Sequence, residues 1–270
     1  MFIRIGYDIV FNLPKPTPML LMLHVHPSRF PSLRGPEQLS VEPYVPMTSY
    51  VDTFGNACGR IVALAGPVRF RNDAVVYDDG QPDAVDPSAR QHPIDELPAD
   101  VLQFLLASRY CEVDLLTEIA WGLFSKAGDG YARVQAICDW VHGNVTFGYQ
   151  FASSTKSAAD VYRDRKGVCR DFTHLAIAFC RCMNIPARYA TGYMGEIGVP
   201  PAPPGDFSAW FEVYLGGRWW TRDARHNVRR IGRVLMAHGR DATDVALTTA
   251  FGVAELKQFT VWTDEVKSFG

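Results

Sequence analysis

The sequence predicts an α+β fold, in which a β-rich N-terminal part is followed by helices and then by antiparallel strands. Three observations carry this expectation. Residues 1–80 alternate apolar and polar positions and turn often. From about residue 97 onward, apolar positions recur at helical spacing in several successive segments. After Ala187 the pattern returns to strand alternation, with Gly216-Gly217 as a two-residue hairpin signal.

The elements follow in order. Ile3, Ile5, Tyr7, Ile9 and Phe11 share one face of a first strand, closed by Pro14. Met19 to Val25 reads as a second. Thr48 to Phe54 and Gly59 to Leu64 read as a hairpin about Gly55-Asn56. Together they suggest a small antiparallel sandwich, set at residues 1–85. Residues 81–96 are rich in Asp, Pro and Gln, and a linker is placed at 86–96. The core is then expected over 97–270. Leu97-Pro98-Ala99-Asp100 opens a helix running toward Leu106, Glu112 to Phe124 gives another, and Gly130 to His142 a third. Val134, Ile137, Cys138 and Val141 lie on one face of the last. Ser157 to Tyr162 is a short helical stretch. Gly195 to Gly205 holds four prolines and three glycines, which exclude a helix or a sheet interior. It reads as a connection bordering a cleft or as a plain loop.

Composition sets outer bounds. The chain is 47% hydrophobic and 21% charged with a net charge of −2, which suits a folded globule and gives no overall pull toward nucleic acid or anionic membrane. Arg222, Arg225, Arg229, Arg230 and Arg233 form a local basic cluster, expected to make salt bridges on a solvated face, with an acidic or carboxylate-bearing substrate as the lesser alternative. Six scattered cysteines without a Cys-x-x-Cys pair support neither a zinc site nor a redox motif. The N-terminal residues lack a charged segment followed by a long apolar run, so no signal peptide and no membrane span are expected, and a reducing cytoplasm is the expected location.

Cys169 is the most informative residue. Gly167 breaks the chain ahead of it, and Phe172, Leu175, Ala176, Phe179, Cys182 and Met183 then repeat along one helical face. Cys169 thus falls in a first helical turn, where unpaired N–H groups and the positive helix end favour the thiolate. Such a thiol is a candidate for covalent catalysis, and a small buried apolar thiol is the plainer alternative. Downstream, Phe207, Ala209, Phe211, Val213 and Leu215 share one strand face. A tight Gly216-Gly217 turn sets Leu215 opposite Arg218 and Trp210 opposite Asp223. Ser208 and Asp223 then share a face as diagonal neighbours. A helix-borne Cys followed by two polar positions on one hairpin face is the layout of a thiol triad.

The sequence here resembles the transglutaminase-like superfamily, close to bacterial members of unassigned substrate. Gly167-Val168-Cys169-Arg170-Asp171-Phe172, Asn184-Ile185-Pro186-Ala187-Arg188-Tyr189, Ala209-Trp210-Phe211-Glu212-Val213-Tyr214 and Asp223-Ala224-Arg225-His226-Asn227 carry the resemblance, which covers about residues 100–235. It implies a papain/transglutaminase-like core preceded by a β-sandwich-like domain. It also implies a Cys, His and Asp acting together on amides. The Cys corresponds to Cys169 and the Asp to Asp223, but Ser208 stands where the family has His.

A serine hydroxyl is no general base near neutral pH. Three alternatives follow: another histidine supplies the imidazole, the thiolate works on local charge alone, or the chain keeps the fold without the chemistry. His226 is the candidate substitute base. His174, five residues after Cys169, diverges from it by roughly 140° around the helix, so a structural role suits it better. The implied chemistry is acyl transfer from a peptide or protein amide, with hydrolysis favoured over cross-linking. A binding or scaffold relative, a pseudoenzyme, is the alternative. Trp210 is the candidate cleft wall, with Tyr162 and the Tyr149-Gln150 region as candidate second oxyanion donors beside the Cys169 N–H. No metal and no cofactor are expected, and the oligomeric state stays open.

Overall fold

A computed structural model describes residues 1–200 and 206–266. The end of the Gly195–Gly205 loop lies outside the described residues. Six strands open the chain: β1 (Phe2–Leu13), β2 (Thr17–Leu21), β3 (Ser40–Glu42), β4 (Thr48–Val51), β5 (Ala57–Ala63) and β6 (Gly66–Tyr77). The helical part holds α1 (Val113–Phe124), α2 (Tyr131–Asn144), β7 (Thr146–Phe147), α3 (Ala158–Asp164), β8 (Lys166–Gly167) and α4 (Cys169–Cys182). Then come β9 (Ala187–Met194), β10 (Phe207–Leu215), β11 (Arg218–Arg222), β12 (Arg233–Gly239), β13 (Thr248–Ala250) and β14 (Glu255–Val266).

The alternating apolar face of β1 behaves as its sequence demands. Ile3, Ile5, Tyr7 and Ile9 are all buried, and they meet Met19, Leu21, Ile61, Phe70 and Val76 in one core between two sheets. The sheets have the orders β14-β1-β6-β3 and β13-β2-β5-β4. The expected hairpin forms with Val51 opposite Ala57, and Gly55 takes the positive φ of 84° that its turn requires.

Two expectations about this region need correction. The sandwich is not closed by residues 1–85 alone, and 97–270 is not all core. β14 pairs along the whole of β1, and β13 pairs with β2. Composition marks a break along the chain, but edge pairing joins segments far apart in sequence. The helix expected from Leu97 is replaced by a short 3-10 turn at Leu102–Leu105. Its four residues offer too few apolar periods to bury a helical stripe.

The helical part buries α4 almost completely. Phe172, Leu175, Ala176 and Phe179 pack among Leu116, Val134, Ile137, Val141 and Val161 from the other three helices. Each of the large side chains contributes roughly 1.5–3 kcal/mol by leaving water. The opposite side of α4 meets Ala209, Phe211, Val213 and Leu215 of β10 in a sheet of order β11-β10-β9-β12. The far end of that sheet, at Tyr193, Phe207, Val234 and Met236, continues into the core of the sandwich. Among the described residues no helix is long and apolar enough to cross a membrane.

Candidate active site

Cys169 is the first residue of α4. Val168 ahead of it is extended, and its N–H donates to Asp171 Oδ2 at 2.9 Å, which closes the helix start. Gly167 is required by that closure, because a Cβ there would lie 2.5 Å from the Asp171 Cβ. Cys169 is partly exposed, whereas the other five cysteines are buried. Burial of its sulfur nevertheless pushes the thiol pKa up. The Arg225 charge and the N–H groups of Ala209 and Arg170 pull the other way, and Asp206 adds to the rise. The helix end expected to favour the thiolate is therefore outweighed by desolvation.

The β10–β11 hairpin has the expected register, with Leu215 opposite Arg218 and Phe211 opposite Arg222. β11 ends there, so β10 from Phe207 to Trp210 has no partner on that side. Near this free edge Cys169 packs against the cluster that holds Ala209, the residue after Ser208. Alternation sets Ser208, Trp210 and Glu212 on the sheet face away from the α4 contact. Asp223, next in register opposite Trp210, shares that face. The Ser208 hydroxyl is buried without a hydrogen-bond partner, and the residue is 5% exposed.

Asp223 sits in a dense set of donors. Its Oδ1 accepts the N–H groups of Arg225 and His226, each at 3.0 Å. Its Oδ2 accepts His226 Nδ1 at 2.9 Å and Arg233 Nη2 at 2.9 Å. Burial works against ionisation, but the His226 hydrogen bond and the Arg233 charge hold the carboxyl well below the usual carboxylate range. His226 and Asp223 therefore form an imidazole–carboxylate pair three residues apart. Among the described residues no imidazole is hydrogen-bonded to the Cys169 sulfur. His174 is a core residue: its Nε2 accepts the Ala242 N–H at 3.1 Å, its ring stacks on Tyr110, and burial pushes it down to about 3.

The remaining candidates lie apart from the sulfur to different degrees. Trp210 is 2% exposed, under the Arg233 guanidinium at 5.0 Å. It is the floor of a groove of about 370 Å³ that Glu212, Thr221 and Arg230 also line, and not a freely exposed wall. Tyr162 stacks on Trp140 with Arg165 over its ring. Gln150 is exposed and packs close to Gly148, where an added Cβ would meet its amide at 2.6 Å. Its neighbour Tyr149 is the residue in electrostatic reach of Cys169, Asp206 and Arg225.

Sequence reasoning missed Arg225, Asp206 and Arg233 as site residues. Arg225 lies over the Phe147 ring at 3.7 Å, and its carbonyl accepts His142 Nδ1 at 2.8 Å. It was legible only as part of a basic cluster and of the Asp223–Asn227 stretch.

Comparison with known proteins agrees with this architecture. A profile of the transglutaminase-like superfamily matches residues 117–224. A crystal structure of a candidate cysteine protease from Cytophaga hutchinsonii aligns with 100% of this chain and 92% of that one, at a TM-score of 0.85 and 33% identity. An uncharacterized protein of Mycobacterium leprae (strain TN) is 32% identical over 148 residues, 53% of each chain, so the match spans about half the length of this curated relative. With the profile over the helix and hairpin, and a full-length structural relative sharing a third of its residues, the chain belongs to the transglutaminase-like superfamily.

Proposed function

We propose that the chain is a thiol enzyme that transfers the acyl group of a peptide or protein amide through Cys169, with water as the usual acceptor. The observation that carries this reading is Cys169 itself: the one partly exposed thiol among the described cysteines, placed as the first residue of α4. Cys169 attacks the amide carbon and forms a thioester. Its proton passes to an imidazole and then to the departing amine, and water releases the acid and restores the thiol. His226 is the imidazole in this reading, and Asp223 fixes its Nδ1–H and stabilises the imidazolium. The Cys169 N–H, at the open start of α4, is a donor for the oxyanion. The description of the Cytophaga relative as a candidate cysteine protease supports the same class of chemistry. Hydrolysis is preferred over cross-linking because water always reaches an acyl-enzyme.

The second reading, a binding or scaffold protein without turnover, is favoured by Ser208 at the family's His position and by the lack, among the described residues, of an imidazole hydrogen-bonded to the sulfur. Peptide-amide hydrolysis and the pH profile of Cys169 alkylation separate the two. In the first reading Cys169→Ala and His226→Ala each abolish native activity, and activity that survives Cys169→Ala overturns it. In the second, the native chain shows no turnover, and Ser208→His combined with His226→Ala gains it.

A further inference from the structure

Asp83 lies in the stretch that follows the sandwich strands, yet it is tied to the far sheet. Its N–H donates to the Arg230 carbonyl at 2.8 Å, and its carbonyl accepts Arg229 Nε at 2.6 Å. Its carboxylate accepts the Arg230 N–H and Arg233 Nε, each at 3.0 Å. Arg233 carries the link onward to Asp223 Oδ2 at 2.9 Å, and the same oxygen accepts His226 Nδ1 at 2.9 Å. The side chains of Arg233 and Asp223 are only 6% and 3% exposed. Carboxylate, guanidinium, carboxylate and imidazole thus follow one another in a line whose two middle groups are buried.

We propose that Arg233 and Asp83 are positioning residues that set the charge environment of His226, Arg233 through the shared Asp223 oxygen and Asp83 through Arg233. This rests on His226 being the imidazole of the site. A buried aspartate alone draws a proton onto the imidazole it binds, and a guanidinium on the same oxygen cancels part of that pull. Both donors touch one oxygen, so Arg233 Nη2 and His226 Nδ1 are at most 5.8 Å apart, twice the 2.9 Å contact. At that range inside a protein the repulsion between two cations is substantial. The Arg233 charge therefore opposes the pull of Asp223 on that ring. Asp83 moderates Arg233 by pairing with it. The other charged groups around this turn are Arg225 beside His226, Asp139 bonded to Asn227 and His142 on the Arg225 carbonyl, and none is altered in the test below.

The test is an NMR titration of the His226 ring in the full chain, with His226→Ala to assign the signal. Arg233→Met should move the midpoint up. Arg233→Lys should return it most of the way, whereas a merely structural role would give both variants the same shift. Asp83→Asn should move it down by a smaller amount. An unmoved midpoint in folded Arg233→Met, or an unchanged or raised one in Asp83→Asn, overturns the proposal. If Arg233→Met does not fold, the direction in Asp83→Asn decides. Cys169 alkylation in the same variants tests the other reading. A His226 midpoint that moves while the Cys169 profile stays fixed overturns His226 as the base and leaves the Arg233 coupling supported.

Discussion

The seam between sandwich and core should be acid-sensitive, and His26 is the group that makes it so. Its ring meets that of His238 on β12 at 5.1 Å between centroids. His238 in turn faces Glu212 at 3.1 Å, which also binds Arg188. Burial, with the His238 and Arg188 charges, pushes the His26 imidazole down to about 4 from its ordinary 6.5, against the opposing Glu212 and Asp52 charges. A lowered histidine pKa means the fold prefers the neutral ring. Its stabilisation is complete above pH 6.5 and is lost as pH falls through 4. From pH 7 to 5 full coupling would remove about 2 kcal/mol, and partial exposure of His26 reduces this to about 1 kcal/mol. His26→Asn keeps an acceptor for the Ser28 N–H, now bound to His26 Nδ1 at 3.2 Å, and removes the titration. Urea unfolding of both proteins at pH 7 and pH 5 measures the difference. Glu212, held at about 2 because its partners outweigh its burial, stays ionised over this range. His174 contributes equally to both proteins and cancels. The wild type should lose about 1 kcal/mol more than the variant over this interval. Equal losses would refute the reasoning.

Three further outcomes are expected. Limited alkylation with peptide mapping should label Cys169 first, since burial pushes Cys111 and Cys138 up to about 12, and earlier labelling of either contradicts this. Arg225→Gln removes the main charge favouring the Cys169 thiolate, so neutral-pH alkylation should slow by about threefold to tenfold, and an unchanged or faster rate counts against it. Gly192→Ala places a Cβ 2.1 Å from the Val234 carbonyl, which should cost about 1–3 kcal/mol and lower the Tm, and an unshifted melting curve would show that β12 yields there.

The legible features were those fixed by local geometry. The Gly216-Gly217 turn sets the β10–β11 register within two residues, and Gly216 and Gly217 take φ of 59° and 84°. The helical period of α4 shows which face enters the core. The rest depends on partners far away in sequence. Nothing near Glu255 announces β1 as its neighbour, and nothing near Arg233 announces Asp83, 150 residues earlier. The register shows that Ser208 and Asp223 share a face, but not which face α4 covers. β10 buries Trp210 and Ser208 on one side as well as Ala209, Phe211 and Val213 on the other, so hydropathy does not tell the sides apart.

Ser208 and Asp223 then set each other's limits. A buried hydroxyl without a partner costs on the order of 1–3 kcal/mol, so the fold gains nothing from Ser208 itself. A carboxylate offers about four acceptor directions. Asp223 already accepts two bonds on each oxygen, from the Arg225 N–H, the His226 N–H, His226 Nδ1 and Arg233 Nη2. An imidazole introduced at position 208 would find every one of those directions taken. It could be oriented by Asp223 only by displacing His226 or Arg233. That is why Ser208→His belongs with His226→Ala in the test of turnover. On the proposed reading, then, Ser208 and the filled carboxylate are coupled, and Ser208→His alone is expected to bring no turnover.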